Sequence, residues 1–224
     1  LTAAADMTGW PVSVIRTESS HAIDLKTLRA QGDDVLSGVS RNSRKQIERA
    51  LALYEERGRV VLNVVAPVER AAAWRRLRAL HEAVWNARGQ QSVFANPRLL
   101  AFHERLQADY PEAVDFIEIH AGADHIASLY NFRHGGTVMN YQSGFSYEED
   151  NRLKPGLVAH VLAARHYQAE GADLYDMLVG DVRYKQSLGA PLAQMHLIEA
   201  VRPGWRNDLL QLAKKARTAI RRPG

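Results

Sequence analysis

Three strand-like segments in succession, followed by a single helix and a single strand, most narrow the folds open to this chain. Val114 to His120 and His125 to Phe132 read as strands joined through Ala121-Gly122-Ala123-Asp124. Thr137 to Phe145 pairs back through Arg133-His134-Gly135-Gly136, a glycine-bearing hairpin turn. Pro155 to Glu170 is next, a helix with a buried stripe at Leu157, Val158, Val161 and Leu162 and a stop at Gly171. Asp173 to Leu178 then reads as a strand. An antiparallel run, one crossover helix and a further strand make a mixed α/β sheet, antiparallel first and then parallel. Such a sheet splays where the parallel strand enters, and the helix N-terminus points into the opening. Unpaired first-turn N–H groups and a positive dipole end make that place favourable for phosphate-bearing ligands.

The flanking segments fit around this centre. Pro11 to Thr17 alternates like a strand, and Asp24 to Arg29 suits a short helix. Ser40 to Arg57 is a helix by spacing, with Ile47, Ala50, Leu51 and Tyr54 on one stripe. Val60 to Ala66 suits a buried strand. Glu69 to Arg88 carries Trp74, Leu77, His81, Val84 and Trp85 on one helical stripe. Pro97 to Tyr110 is a helix that opens behind the N-cap Asn96. Val182 to Leu188 reads as a short helix, Leu192 to Val201 as a strand, and Asn207 to Arg222 as an amphipathic basic helix.

Composition excludes several classes. With 46% hydrophobic and 24% charged residues the chain is globular rather than disordered. No apolar run approaches the roughly 18 to 20 residues of a membrane span. The absence of cysteine removes disulfides, zinc–thiolate sites and a Cys nucleophile. A net charge of +4 suits a surface that meets anions without marking a dedicated nucleic-acid binder. The start at Leu1, with no signal-peptide progression, reads as a piece of something longer, with the cytoplasm as the expected location.

Two segments concentrate chemistry. Asn151-Arg152-Leu153-Lys154-Pro155-Gly156 opens the crossover helix with two cations, a Pro suited to the first turn and a Gly that admits close backbone approach. It is an anion cradle or an ordinary helix start with solvated charges. Asp176 ends a strand, and Gly180, Asp181, Tyr184 and Lys185 follow in a turn and short helix. Tyr184 can deliver a proton to a leaving group, Lys185 can bind an anionic substrate, and Asp176 can orient an amine or accept its proton. Otherwise Asp181 caps the helix, Tyr184 packs and Lys185 is solvated. His81 is a substrate contact, a base or a hydrogen-bonded core residue, and Trp85 at i+4 suits the core.

His120, His125 and His134 lack a metal-ligand spacing, no HExxH is present, and no metal is expected. Walker A, dinucleotide and Gly-x-Ser-x-Gly motifs are also missing. The cations Arg41, Arg44, Lys45 and Arg49, and the tail from Arg202 to Arg222, are solvated faces or contacts for an anionic glycan, nucleic acid or membrane surface.

Taken in order, Leu36-Ser37, Ser40-Arg41-Asn42-Ser43-Arg44-Lys45-Gln46-Ile47, Leu80-His81, Trp85, Arg88-Gly89, Phe94, Pro155-Gly156, Asp176, Gly180-Asp181 and Tyr184-Lys185 resemble a known family. It is the GNAT-superfamily acyltransferases of the CelD type, associated with cellulose and other exopolysaccharide clusters and related to the FemAB aminoacyltransferases. The resemblance covers residues 33–189.

The resemblance implies a GNAT-like fold whose central splay holds an acyl thioester, and the transfer of an acyl group, acetyl as the first expectation, from acyl-CoA to an amine or hydroxyl of a cell-envelope or exopolysaccharide precursor. Backbone N–H groups near Gln142, Ser143 and Gly144 would polarise the thioester carbonyl, and Arg152, Lys154, Pro155 and Gly156 would hold the pyrophosphate. Tyr184 would protonate the thiolate, Asp176 or His81 would take the nucleophile's proton, and Lys185, with Asp181 and Trp85, would meet the acceptor. Residues 33–201 would form the domain, 1–32 the lead-in from a preceding GNAT-like half, and 202–224 a basic helix for anionic or peripheral membrane contact. The loop at Asn151–Gly156 has one glycine where the family's phosphate loop has more, so an aminoacyl-tRNA donor, as in FemAB relatives, is an alternative. A catalytically silent GNAT-like module in a polysaccharide assembly is another.

Overall fold

The computed structural model describes residues 10–179, 183–209 and 212. The elements in chain order are β1 (Val12–Asp24), α1 (Leu25–Gln31), α2 (Arg41–Glu55), β2 (Val60–Val64), α3 (Arg70–Ala87), α4 (Pro97–Asp109), β3 (Val114–Ala121), β4 (Asp124–His134), β5 (Thr137–Phe145), α5 (Pro155–Ala169), β6 (Leu174–Asp176), α6 (Arg183–Leu188) and β7 (Ala190–Ala200). Local chemistry sets many of these ends. Ser40 and Asn96 accept backbone N–H bonds as N-caps of α2 and α4. The β4–β5 hairpin closes on Gly135 and Gly136 at φ +54° and +78°, the left-handed pair that a two-residue primed turn requires.

Seven strands form one mixed sheet in the order β2-β3-β4-β5-β6-β1-β7. Contacts divide the chain into two compact units, Ser19–Ala193 and a smaller one of Leu1–Glu18 with Gln194–Gly224. Within the larger unit the strands' alternation sorts the core. Val114, Phe116 and Tyr130 pack with Trp74 and Leu77 of α3, while Ile117, Ile119, Ala127 and Leu129 pack with Ile47, Ala50 and Tyr54 of α2 and with α5. In the smaller unit Thr17 Oγ1 and His196 Nδ1 lie 2.8 Å apart, and Val201 N–H donates to Pro11 O.

Four segments differ from expectation. β2 is an edge strand with Val61 and Val64 exposed, instead of a buried one, because it has a neighbour on one side only. β1 runs to Asp24 instead of stopping at Thr17, because Ala22, Ile23 and Asp24 pair antiparallel with Asp176, Tyr175 and Leu174. β6 is cut to Leu174–Asp176. The parallel pairs with β5 end at Met139–Asp176, Met177 N–H continues to His21 O on β1, and Leu178 turns left-handed at φ +55°. α5 is buried over most of its circumference, including His160 and Tyr167, because α1 and α2 pack over the side away from the sheet. The predicted tail helix Asn207–Arg222 lies mostly outside the described residues.

Candidate active site

β6 stays with β1 and leaves β5, so β5 runs on from Asn140 to Phe145 beside an opening. The backbone there follows from the ladder. Ser146 N–H donates to Ile126 O at 2.9 Å. By antiparallel alternation Gly144 and Gln142 turn their N–H groups to β4, and Ser143 and Phe145 turn theirs to the opening. Among Gln142, Ser143 and Gly144, it is the Ser143 N–H that turns to the opening, and the Phe145 N–H turns there too. Tyr141 is the extra residue of a bulge between the pairs Tyr130–Gln142 and Asn131–Asn140. A buried chain steadies that bulge: Ser143 Oγ donates to Asn140 Oδ1 at 2.9 Å, Asn140 Nδ2 to Asn131 Oδ1 at 2.9 Å, and Asn131 Nδ2 to the Tyr167 hydroxyl at 3.0 Å.

A pocket of about 350 Å³ lies at this opening. It gathers His81, Trp85, Gln142, Ser143, Tyr184 and Lys185 from the expected site, and adds Val84, Arg88, Asn140, Tyr141, Phe145, Tyr147 and Val179. Asp176, Gly144, Arg152, Lys154, Pro155 and Gly156 do not line it. Asp181 lies outside the described residues.

Tyr184 is held on one side. Its hydroxyl is 3.3 Å from His160 Nε2, the two rings stack at 5.0 Å, and His160 Nδ1 is 2.8 Å from the Tyr175 hydroxyl. Burial, with Lys185 nearby, pushes the His160 pKa down to about 3, so the ring is neutral. Burial raises the Tyr184 phenol, aided by Tyr147, and it stays protonated at pH 7.

His81 sits in a fixed tautomer. Trp85 Nε1–H donates to its Nε2 at 2.9 Å, so Nδ1 carries the proton facing Ser92 Oγ at 3.0 Å. Its basic lone pair is filled in this state, and burial lowers its pKa. Asp176 is 8% exposed and spends Oδ1 on Leu178 N–H at 2.8 Å, fixing the left-handed turn; burial raises its pKa, against the pull of that N–H and Lys185.

Lys185 is not solvated, although it lines the pocket. Its ammonium is buried and donates to Met177 O at 2.6 Å and Val179 O at 2.8 Å, which pins the segment after β6. At the foot of α5, Arg152 faces Asp150 through an ion pair of 2.6 Å. No side-chain cap fills the first turn of α5, whose intrahelical bonding begins with Val158 N–H to Lys154 O. Gly156 is buried, and a Cβ there would come within 3.5 Å of the Phe145 ring and 3.7 Å of Tyr184.

Sequence reading missed His160, Asn131, Asn140 and Tyr167. The available signal was polar side chains inside runs otherwise apolar, which in a buried element must find partners. Among the described residues no group of three or more His, Asp or Glu could hold a metal ion, and no helix is long and apolar enough to cross a membrane.

The acetyltransferase (GNAT) domain family matches residues 41–186. The chain belongs to this family. Among solved structures the GNAT chain is similar to FemX, with TM-score 0.55, 9% identity, and coverage of 84% of this chain and 60% of that one. It is also similar to L-PGS from Bacillus licheniformis, with TM-score 0.56, 12% identity, and coverage of 99% and 70%. The C-terminal domain of a candidate lysylphosphatidylglycerol synthetase from Agrobacterium fabrum gives TM-score 0.55, 11% identity, and coverage of 95% and 67%. At these identities the likeness is one of fold, and this GNAT chain spans three fifths to seven tenths of those structures' lengths. No curated protein sequence matches it.

Proposed function

We propose that this GNAT domain is an N- or O-acyltransferase that moves an acyl group, acetyl in the simplest case, from acyl-CoA to an amine or hydroxyl of a cell-envelope or exopolysaccharide precursor, as in CelD-type relatives. The observation that carries the reading is the separation of β6 from β5 after Met139–Asp176, with a pocket holding Tyr184 at the opening.

In this reading the thioester lies along Asn140 to Phe145, and its carbonyl oxygen accepts from the N–H group of Ser143. The acceptor enters from α3, beside His81, Trp85 and Arg88. Its nucleophile bonds to the carbonyl carbon, the carbon–sulfur bond breaks with its electron pair going to sulfur, and the Tyr184 hydroxyl gives the thiolate its proton. His81 takes the nucleophile's proton once the acceptor displaces the Trp85 indole from Nε2; Asp176, absent from the pocket wall, is a positioning residue for Leu178. The uncapped first turn of α5, with Lys154 and Gly156, offers its N–H groups to the pyrophosphate. Arg152 joins it only by leaving Asp150.

Calorimetric titration with acetyl-CoA and CoA tests this. Saturable binding of both is expected. Binding of neither by the folded protein would overturn the CoA reading and leave an aminoacyl-tRNA donor, with steep salt dependence, or a silent module.

A further inference from the structure

A second cavity, of about 480 Å³, lies between α3 and α4 and shares no residue with the pocket of Tyr184. Arg70, Trp74, Arg75 and Arg78 line it from α3, and Glu104 and Gln107 from α4. Its wall is unusual in its polar atoms. Trp74 is 96% buried by its 4% exposure, and its indole Nε1–H has no hydrogen-bond partner. The Nε–H groups of Arg70 and Arg78 are likewise buried and unpartnered. Both guanidinium groups are tethered at the other end, Arg70 through Nη1 to Pro111 O at 2.6 Å and Arg78 through Nη2 to Glu82 Oε1 at 3.3 Å.

A buried donor without an acceptor costs about 1–3 kcal/mol, and one such group is ordinary in a native protein. With Gln107 Nε2 there are four around one cavity, all donors and two of them cationic, and they ask for an acceptor. Set against Glu104 in the wall and Glu82 on Arg78, three arginines still leave the cavity a positive balance. Pro67, Ala71 and Ala108 supply an apolar wall, and the volume falls in the range of small-molecule sites.

We infer that the α3–α4 cavity is a second binding site, taking a small molecule with an oxyanion, a phosphate ester or a carboxylate, received by Trp74, Arg70 and Arg78. The oxyanion accepts from the indole and the two guanidinium groups, as charge-assisted bonds between oxyanions and arginine do. Rings in contact lie between the site and the first pocket: Trp74 meets Phe94 edge-on at 5.0 Å, and Phe94 meets His81 at 4.8 Å. This inference stands whether or not the acyl-CoA reading does.

The test follows the indole N–H resonances of the full chain by NMR, with Trp74 assigned through Trp74→Phe, during titration with inorganic phosphate and, separately, acetate at constant ionic strength held with chloride. A saturable shift of the Trp74 indole is expected, stronger with phosphate for a phosphate-ester site and with acetate for a carboxylate site. Arg70→Gln and Arg78→Gln, each checked for an unchanged melting temperature, should weaken it about tenfold. Three outcomes would overturn the inference: a Trp74 resonance that moves no more with either anion than with chloride, an affinity unchanged in both arginine variants, or a response confined to Trp85.

Discussion

His160 Nε2 stands 3.3 Å from the Tyr184 hydroxyl, under a ring stacked on the tyrosine. The imidazole comes from the middle of α5 and the phenol from α6, so the crossover helix itself aims the candidate acid. The neutral imidazole carries one N–H; in the tautomer that places it on Nε2, Nδ1 accepts from the Tyr175 hydroxyl, Nε2–H donates to the Tyr184 oxygen, and the phenol proton is left for the pocket.

Tyr184→Phe should lower turnover by about 10²-fold or more while donor binding changes little, as removal of a positioned acid does. Steady-state kinetics beside calorimetry check this. Equal loss of turnover and of donor affinity would mean that the tyrosine builds the pocket and does not donate the proton.

Acid should destabilise the fold through His160. Its folded-state pKa of about 3 lies below the ordinary histidine value, so between those values the unfolded chain binds the extra proton and stability falls as pH falls. His81, His103 and His125 are depressed by burial in the same sense. Each contributes a slope of up to about 1.4 kcal/mol per pH unit through its own window. Urea unfolding at pH 7 and pH 5 reads the slope, and His160→Gln should reduce it; a flat profile in the native sequence contradicts the burial argument.

Two glycines separate packing from ligand approach. A Cβ at Gly144 would stand 2.7 Å from Leu80 Cβ and 2.8 Å from Leu77 O, where backbone must yield. Gly144→Ala should cost about 1–3 kcal/mol. At Gly156 the nearest atom would be 3.5 Å away, an ordinary contact, so Gly156→Ala should fold almost normally. Thermal melts of the two variants should therefore diverge, and equal melting temperatures would show that α3 does not press on β5 this closely.

Lys185→Met should lower stability, by about 1–3 kcal/mol for the carbonyls left behind, whichever acceptor is used. Denaturation reads that loss. An unchanged midpoint with weaker binding of anionic acceptors alone would return Lys185 to the substrate-binding role.

The hairpins, the crossover helix and the mixed order of the sheet were legible in the sequence because each rests on local chemistry. Gly135-Gly136 closes a primed turn, Ser40 and Asn96 cap helices, and apolar spacing sets the buried faces. The same order placed the opening and set Tyr184 near it, helical spacing raised His81 with Trp85, and Ser143 came from the family resemblance alone. Spacing along the chain carries no information on what a side chain meets across the fold, and there the expectations divided. Lys185 looks like a free cation until Met177 and Val179 bring their carbonyls to it, and so does Arg152 until Asp150 faces it. His160 lies inside an apolar helix, 15 residues from Tyr175 and 24 from Tyr184, and only packing between α5, α6 and the sheet joins the three. The sequence by itself determined the elements and their order, because turn, cap and periodicity are short-range. The tertiary structure alone decided which polar groups are satisfied internally and which remain for a ligand, because hydrogen bonds in a buried site are made by residues far apart in the chain.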